Sequence, residues 1–205
     1  MLGLQDVNRF FYDIAISRVK SKFCIPIWHY FVRFTRENFK NKIFRVKSTA
    51  NVAEFITDIR LDFEFCRWSV MLNSELYCYG MSLDSNLEGN VSTVFKFTKI
   101  SNIDFEEERT FTLLARPNFF DHDPAVVVYK RSHLFKTGGS DDDDERSVRV
   151  EVYNVDRNHW SPCTNLNIAR TEHSSCIVGG KLYVSGGVND EDSIEVADCS
   201  DLIKG

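Results

Sequence analysis

Residues able to do chemistry are scattered along this chain. His122 stands between Asp121 and Asp123, and His173 lies between Glu172 and Ser174-Ser175, neighbours that can tune an imidazole for proton transfer or metal binding. The five histidines, at 29, 122, 133, 159 and 173, make no His-x-x-x-His pair, and no nucleophile-elbow glycines frame Ser174. The six cysteines, Cys24, Cys66, Cys78, Cys163, Cys176 and Cys199, include no Cys-x-x-Cys and no framework of a small secreted domain. Gly138-Gly139 and Gly186-Gly187 are not followed by helical patterns, which excludes a phosphate loop. The expectation is no catalytic residue, no metal site and no cofactor. Histidines then serve structure or loops, and cysteines are buried free thiols.

The densest charge is the run Ser140-Asp141-Asp142-Asp143-Asp144-Glu145. Five adjacent carboxylates repel one another and favour an extended, solvated loop. Calcium ligands would alternate around a central glycine, and these do not. Asp141, Asp142, Asp143 and Asp144 are therefore candidates for an electrostatic contact with a basic protein partner.

Such a loop needs a rigid frame, and one is legible around it. From Val150 the chain reads Val150-Glu151-Val152-Tyr153, then Trp160, Leu166 and Arg170. Gly179-Gly180, between two apolar runs, predicts a two-residue hairpin with positive φ. Leu182-Tyr183-Val184-Ser185-Gly186 repeats Leu134-Phe135-Lys136-Thr137-Gly138 and Leu76-Tyr77-Cys78-Tyr79-Gly80, at steps close to the roughly 50-residue period of one propeller blade. Apolar strands are expected ahead of each, at Trp68–Leu72, Ala125–Tyr129 and Ser174–Val178. Third strands are expected at Val91–Phe97, Val148–Tyr153 and from Ile194.

This grammar resembles the kelch repeat, the four-stranded blade of a β-propeller. The resemblance implies an all-β fold: a partial kelch-type β-propeller of about three four-stranded blades with an incomplete ring, preceded by a short N-terminal helix or irregular segment. The units fall at about 64–116, 117–163 and 164–205. It also implies structural roles for Tyr77, Gly80, Arg116, Phe135, Gly138, Gly139, Tyr153, Trp160, Arg170, Tyr183, Gly186 and Gly187. The two arginines are expected before inner strands, their guanidinium forks satisfying carbonyls between blades. Phe97 is read as the counterpart of Tyr153, and Phe105 or Phe111 as filling the place of the tryptophan.

The function implied is a non-enzymatic protein–protein interaction scaffold, as an adaptor, a substrate receptor or a cytoskeleton-associated protein. Propeller oxidases and hydrolases supply the enzymatic alternative. Because a closed ring takes about four to eight blades, self-association or completion by another chain is part of the expectation.

At 205 residues and 43% apolar, the chain can bury a sizeable core. It has no run approaching about 18 apolar residues and no basic start followed by an apolar stretch and a cleavage site, so a cytoplasmic setting is expected. The net charge of -5 is uneven, because residues 1–47 carry ten Lys or Arg against Asp6, Asp13 and Glu37. This divides the chain into a basic aromatic segment, 1–47, and an acidic propeller portion, 48–205. Leu4, Val7, Phe10, Phe11 and Ile14 predict a short amphipathic helix. Trp28 to Phe34 is apolar on both faces and predicts buried backbone. Basic and aromatic residues together could meet nucleic acid or an anionic membrane. Without a nucleic-acid motif, a degenerate blade or the tail of an upstream domain is preferred, and both partners rank below protein.

Overall fold

The computed structural model describes residues 28–35, 40–47, 53–59, 65–85, 91–102, 110–119, 121–141, 143–188 and 192–204. Side chains are described from Trp68 onward, except over residues 81–95. The predicted helix over residues 4–14 lies outside the described residues.

Among these residues, four antiparallel sheets account for nearly everything. Sheet one holds β1 (Trp28–Thr35), β2 (Lys40–Lys47) and β3 (Ala53–Ile59). Sheet two holds β4 (Phe65–Leu72), β5 (Glu75–Ser85), β6 (Val91–Ser101) and β7 (Thr110–Leu114). Sheet three holds β8 (Ala125–Tyr129), β9 (His133–Thr137), β10 (Val150–Asn154) and β11 (His159–Pro162). Sheet four holds β12 (Ser174–Val178), β13 (Lys181–Ser185) and β14 (Ile194–Asp198), followed by the short helix α1 (Cys199–Lys204). Each sheet is a meander in chain order. The first strand of each sheet lies beside the first strand of the next, β1 by β4, β4 by β8 and β8 by β12. The four sheets therefore stand side by side about a common axis, as blades of a partial β-propeller.

Sheet one adds a fourth blade to the three expected. The division drawn at residue 47 falls between β2 and β3, which pair from Asn41–Ile59 to Val46–Ala53. Net charge changes there, but backbone pairing does not.

Strict alternation builds the core between sheets. One face of sheet two offers Trp68, Leu72, Tyr77, Tyr79 and Phe97, which bury against Leu134, Tyr153 and Trp160 of sheet three. The opposite face of sheet three offers Tyr129, Phe135, Val150 and Val152, which bury against Leu182, Val184, Cys199 and Leu202. At the first junction Phe97 meets Tyr153 edge to face, with centroids 5.0 Å apart, and Trp160 donates Nε1–H to the Ala115 carbonyl at 3.0 Å.

Ladder register aligns the three repeats. Leu76, Leu134 and Leu182 pair with Ile100, Tyr153 and Ala197, and Tyr77, Phe135 and Tyr183 pair with Lys99, Val152 and Val196. This register corrects one expectation, that Phe97 is the counterpart of Tyr153, and agrees with another, that Phe111 takes the place of the tryptophan. Ile100 holds the ladder position of Tyr153, whereas Phe97 holds that of Val150 and so faces the next sheet. Phe111, which pairs with Ile100, takes the ladder position of Trp160, which pairs with Tyr153.

Gly80 also departs from the pattern. Gly138-Gly139 and Gly186-Gly187 end their strands with φ of +54°, +109°, +73° and +108°. Gly80 instead sits inside β5 opposite Lys96. With Met81 in place of a second glycine, the chain cannot leave the sheet by two positive φ values, and the hairpin runs on to Ser85.

Candidate functional site

One end of sheets three and four gathers the connection from β9 to β10, the lead-ins to β8 and β12, and the loop after β13. The glycines let these strands of backbone cross. A Cβ on Gly139 would lie 2.5 Å from the Asp121 Cβ and 2.7 Å from the His122 oxygen, and one on Gly138 would lie 2.5 Å from the Arg170 oxygen. Gly139 N–H donates to Arg170 O at 2.7 Å, Ser147 N–H to Gly139 O at 2.8 Å, and Arg170 N–H to Ser147 O at 3.0 Å. His122 and Ser140 exchange backbone bonds at 2.6 and 2.8 Å, and the Arg146 guanidinium donates to Val188 O at 2.8 Å. The loops of two blades are thus sewn into one surface.

The acidic run is folded rather than extended. The Asp141 carboxylate accepts N–H bonds from Asp143 at 3.1 Å and Glu145 at 2.9 Å, while Asp144 N–H donates to Asp141 O and Asp144 takes a φ of +62°. Backbone donors satisfy the first carboxylate and overcome the repulsion that favoured an extended loop. Asp141 is therefore a turn residue. Asp143, Asp144 and Glu145 project into solvent, with Asp123, Glu172 and Asp192 also exposed on neighbouring connections, and Asp142 lies outside the described residues.

Beneath this surface sheets three and four each carry a charge node. In sheet four, Glu195 receives N–H bonds from Asn167, Nδ2 of the same residue, and Ile168, while Arg170 Nε lies 3.3 Å away. Arg170 is fully buried, and its fork also donates to Gly186 O at 2.7 Å and to the Ser193 hydroxyl. Burial pulls the Glu195 carboxyl upward, but the Asn167 and Ile168 donors and the guanidinium outweigh it and hold it below the ordinary glutamate value. In sheet three, Glu151 receives the same two donors from Asn118, at 3.0 and 2.7 Å. Here the cation comes from the strand: Lys136 Nζ reaches buried Glu151 at 3.0 Å and buried Asp121 at 2.6 Å, and the half-buried Phe119 O at 2.8 Å.

Arg170 is buried as a structural arginine would be, but Gly186 O, Ser193 and Glu195 on its fork all belong to its own blade and not to a junction between blades, while Arg116 is exposed and stands outside such a node. The matching site is Asp121, three residues after Asn118 as Arg170 is three after Asn167. Lys136, Glu151, Asp121 and Glu195 were not singled out by sequence. The signal available was the shared Asn-x-x-charge spacing before β8 and β12.

The remaining candidates serve packing. Tyr77, Phe135, Tyr153 and Trp160 are buried, and Tyr183 is half-buried. Burial pushes the Tyr153 hydroxyl up to about 12 and the Cys163 thiol, beside Glu151, up to about 11. His173 is buried with Nε2 2.8 Å from the Thr137 hydroxyl, and His133 lies between the Ser132 hydroxyl and Asn154 Nδ2. Cys78, Cys163, Cys176 and Cys199 are free thiols. Among the described residues, no three His, Cys, Asp or Glu side chains are arranged to hold a metal ion, and no helix is long and apolar enough to cross a membrane.

Residues 169–204 match the family model described as the Kelch motif. These residues run from the Arg170 lead-in through sheet four into α1. The solved structure of YjhT superposes on 88% of this chain with a TM-score of 0.55 at 11% identity, which speaks for the fold alone. The chain is a partial kelch-repeat protein. Among curated kelch relatives, Kelch-like protein 38 of Danio rerio is 40% identical over 78 residues, which is 37% of this chain and 12% of that protein. Kelch-like protein 21 of Homo sapiens is 40% identical over 52 residues, and that of Bos taurus 38% over 52 residues, each 25% of this chain and 8% of the relative. The kelch chain described here thus spans a small part of its curated relatives' length, and 65% of YjhT.

Proposed function

We propose that this chain is a non-enzymatic interaction scaffold whose kelch blades hold the 138–149 connection and its acidic rim rigid for a basic protein partner, in an intracellular setting. The observation that carries this reading is the double tether of the acidic turn. Asp141 closes it from within, and Gly139, Ser140, Arg146 and Ser147 bind it to the neighbouring connections. A preordered loop loses little conformational entropy on binding, and exposed carboxylates at its tip steer cationic partners. Similarity to kelch-like proteins supports this reading, and adaptor, substrate-receptor and cytoskeletal roles are the forms this scaffold would take.

The test is binding of a lysine-rich peptide to the intact chain and to Asp143→Lys/Asp144→Lys. Expected is salt-dependent binding that the charge reversal lowers at least tenfold, with the melting temperature unchanged. Equal binding by both proteins would remove the acidic rim from the proposal. A stoichiometric transition metal in purified protein would favour the propeller-enzyme reading instead.

The same reading includes contact with a further sheet, from a second copy or another chain. Val178, Ile194 and Val196 occupy in sheet four the register positions of Tyr129, Val150 and Val152, which sheet four buries in sheet three. Ile194 and Val196 are 64% and 51% exposed.

A further inference from the structure

Sheet four holds three strands among the described residues, and the edge of β14 that corresponds to the β11 side of β10 is unpaired there. Ladder register fixes what a strand added at that edge would meet. Ala197 pairs with Leu182 as Tyr153 pairs with Leu134, and Trp160 lies opposite Tyr153. A residue opposite Ala197 would therefore take the position of Trp160 and point into the junction between sheets three and four.

A cavity of about 200 Å³ lies at that position, with Thr164, Leu166, Leu182, Ala197 and Leu202 among its walls. These walls repeat the seat of Trp160. The spacing that aligns Asn118 with Asn167 and Asp121 with Arg170 also aligns Ala115 with Thr164, and the Ala115 carbonyl accepts the Trp160 indole N–H at 3.0 Å. Leu182 stands for Leu134, and Ala197 in place of Tyr153 leaves more room. The cavity is continuous with the core of the junction, since Leu182 and Leu202 belong to both. Its polar wall, Asn167 and Glu195, is already satisfied, because Glu195 is held by Asn167 and Arg170. An apolar cavity of about 150 Å³ is enough to hold a benzene ring.

We propose that β14 accepts an extended peptide of a protein partner as an antiparallel fourth strand, with a tryptophan opposite Ala197 seated in this cavity. Main-chain bonds to β14 supply affinity, and the indole in its pocket supplies selectivity. Alternation puts the peptide residues opposite Val196 and Ile194 on the other face, where both are exposed and take β-branched neighbours well. Asp192, Asp198 and Asp201, exposed about the two ends of β14, favour lysines at the ends of the peptide. The partner segment therefore reads basic, tryptophan, apolar, small, apolar, basic. Its seat is on β14, apart from the acidic rim of the 138–149 connection.

Fluorescence anisotropy of labelled Lys-Lys-Trp-Val-Ser-Val-Lys-Lys with the intact chain tests this. Expected is saturable binding, weakened at least tenfold when alanine replaces the tryptophan and unchanged in Asp143→Lys/Asp144→Lys. Amides of β14 should exchange at least tenfold more slowly in the bound chain. Absence of saturable binding overturns the proposal, as does equal binding of the alanine peptide, which carries the same charge, or binding without slower exchange in β14. Binding that Asp143→Lys/Asp144→Lys abolishes overturns it in favour of the acidic rim. Protection of β14 before any peptide is added also overturns it, because the edge is then already covered.

Discussion

Asp121 stands where Arg170 stands one blade later, and the two carry opposite charges. Each follows by three residues an asparagine that gives two donors to a strand glutamate, Glu151 or Glu195. In sheet four the lead-in supplies the cation and Val184 fills the strand position. In sheet three the lead-in supplies an anion and Lys136 supplies the cation from that strand position. Charge has been transposed while the node is kept.

Removing Lys136 should therefore be severe, because two buried carboxylates lose their only fully buried cation among the described residues. Lys136→Met is expected to cost about 3–5 kcal/mol in chemical denaturation. Asp121→Arg combined with Lys136→Val recreates the arrangement of sheet four and should recover a substantial part. A double variant no more stable than Lys136→Met would show that the two nodes are not interchangeable.

Phe97 and Tyr153 make a second separable contribution. Their rings are 5.0 Å apart at 87°, on opposite sides of the junction between sheets two and three. Phe97→Ala should cost about 3–5 kcal/mol through the cavity it leaves. A double-mutant cycle with Tyr153→Leu should give a coupling of about 0.5–1.5 kcal/mol. Additive losses would mean the pair contributes burial only.

These pairs also mark where sequence reading succeeded and stopped. Strand positions were legible because the hairpin signature and its flanking apolar runs sit in the ladders, as Val127–Phe135–Val152 and Cys176–Tyr183–Val196 show. Arg116 was matched to Arg170 by residue type, but the node conserves geometry and transposes charge, which residue type cannot reveal. Phe97 was matched to Tyr153 as an aromatic near a strand end, yet period-two alternation sends the two to facing sides of one junction. Sheet one lacks the paired-glycine signature, so its strands were masked by basic composition. The acidic turn was misread because Asp141 bonds to its own loop, a local competition that net charge does not report.

Glycine substitutions separate crossing from turning. Gly139→Ala meets a φ of +109° and contacts of 2.5 and 2.7 Å, and should cost more than about 2 kcal/mol while disturbing the acidic turn. Gly180 has a φ of +82° but open space, so Gly180→Ala should cost about 1–2 kcal/mol. Thermal denaturation of both variants ranks them, and a reversed order would contradict the crossing geometry at Gly139.

Acid should weaken the chain in two steps of the same sign. His133 is depressed by burial, so its contribution is full above the ordinary 6.5 and lost as pH falls through its lower folded value. Glu195 is also depressed, so its contribution is full above the ordinary 4.5 and lost as pH falls below it. Glu195→Gln should flatten the denaturation midpoint's slope below about pH 4.5 and leave the slope near pH 6 intact. An unchanged acid slope would mean that Glu195 is not held by Arg170, Asn167 and Ile168 in solution.

Association follows from the outward face of sheet four. Ile194 and Val196 lie on the face that, in sheet three, the next blade buries, so open apolar surface adjoins an unpaired strand β14 among the described residues. Such a face drives self-contact unless another sheet covers it. Sedimentation of the intact chain should show mass rising with concentration, and Ile194→Lys/Val196→Glu should shift that rise to concentrations at least tenfold higher. A monodisperse, cooperatively melting monomer at high concentration would show that this face is covered within the chain itself.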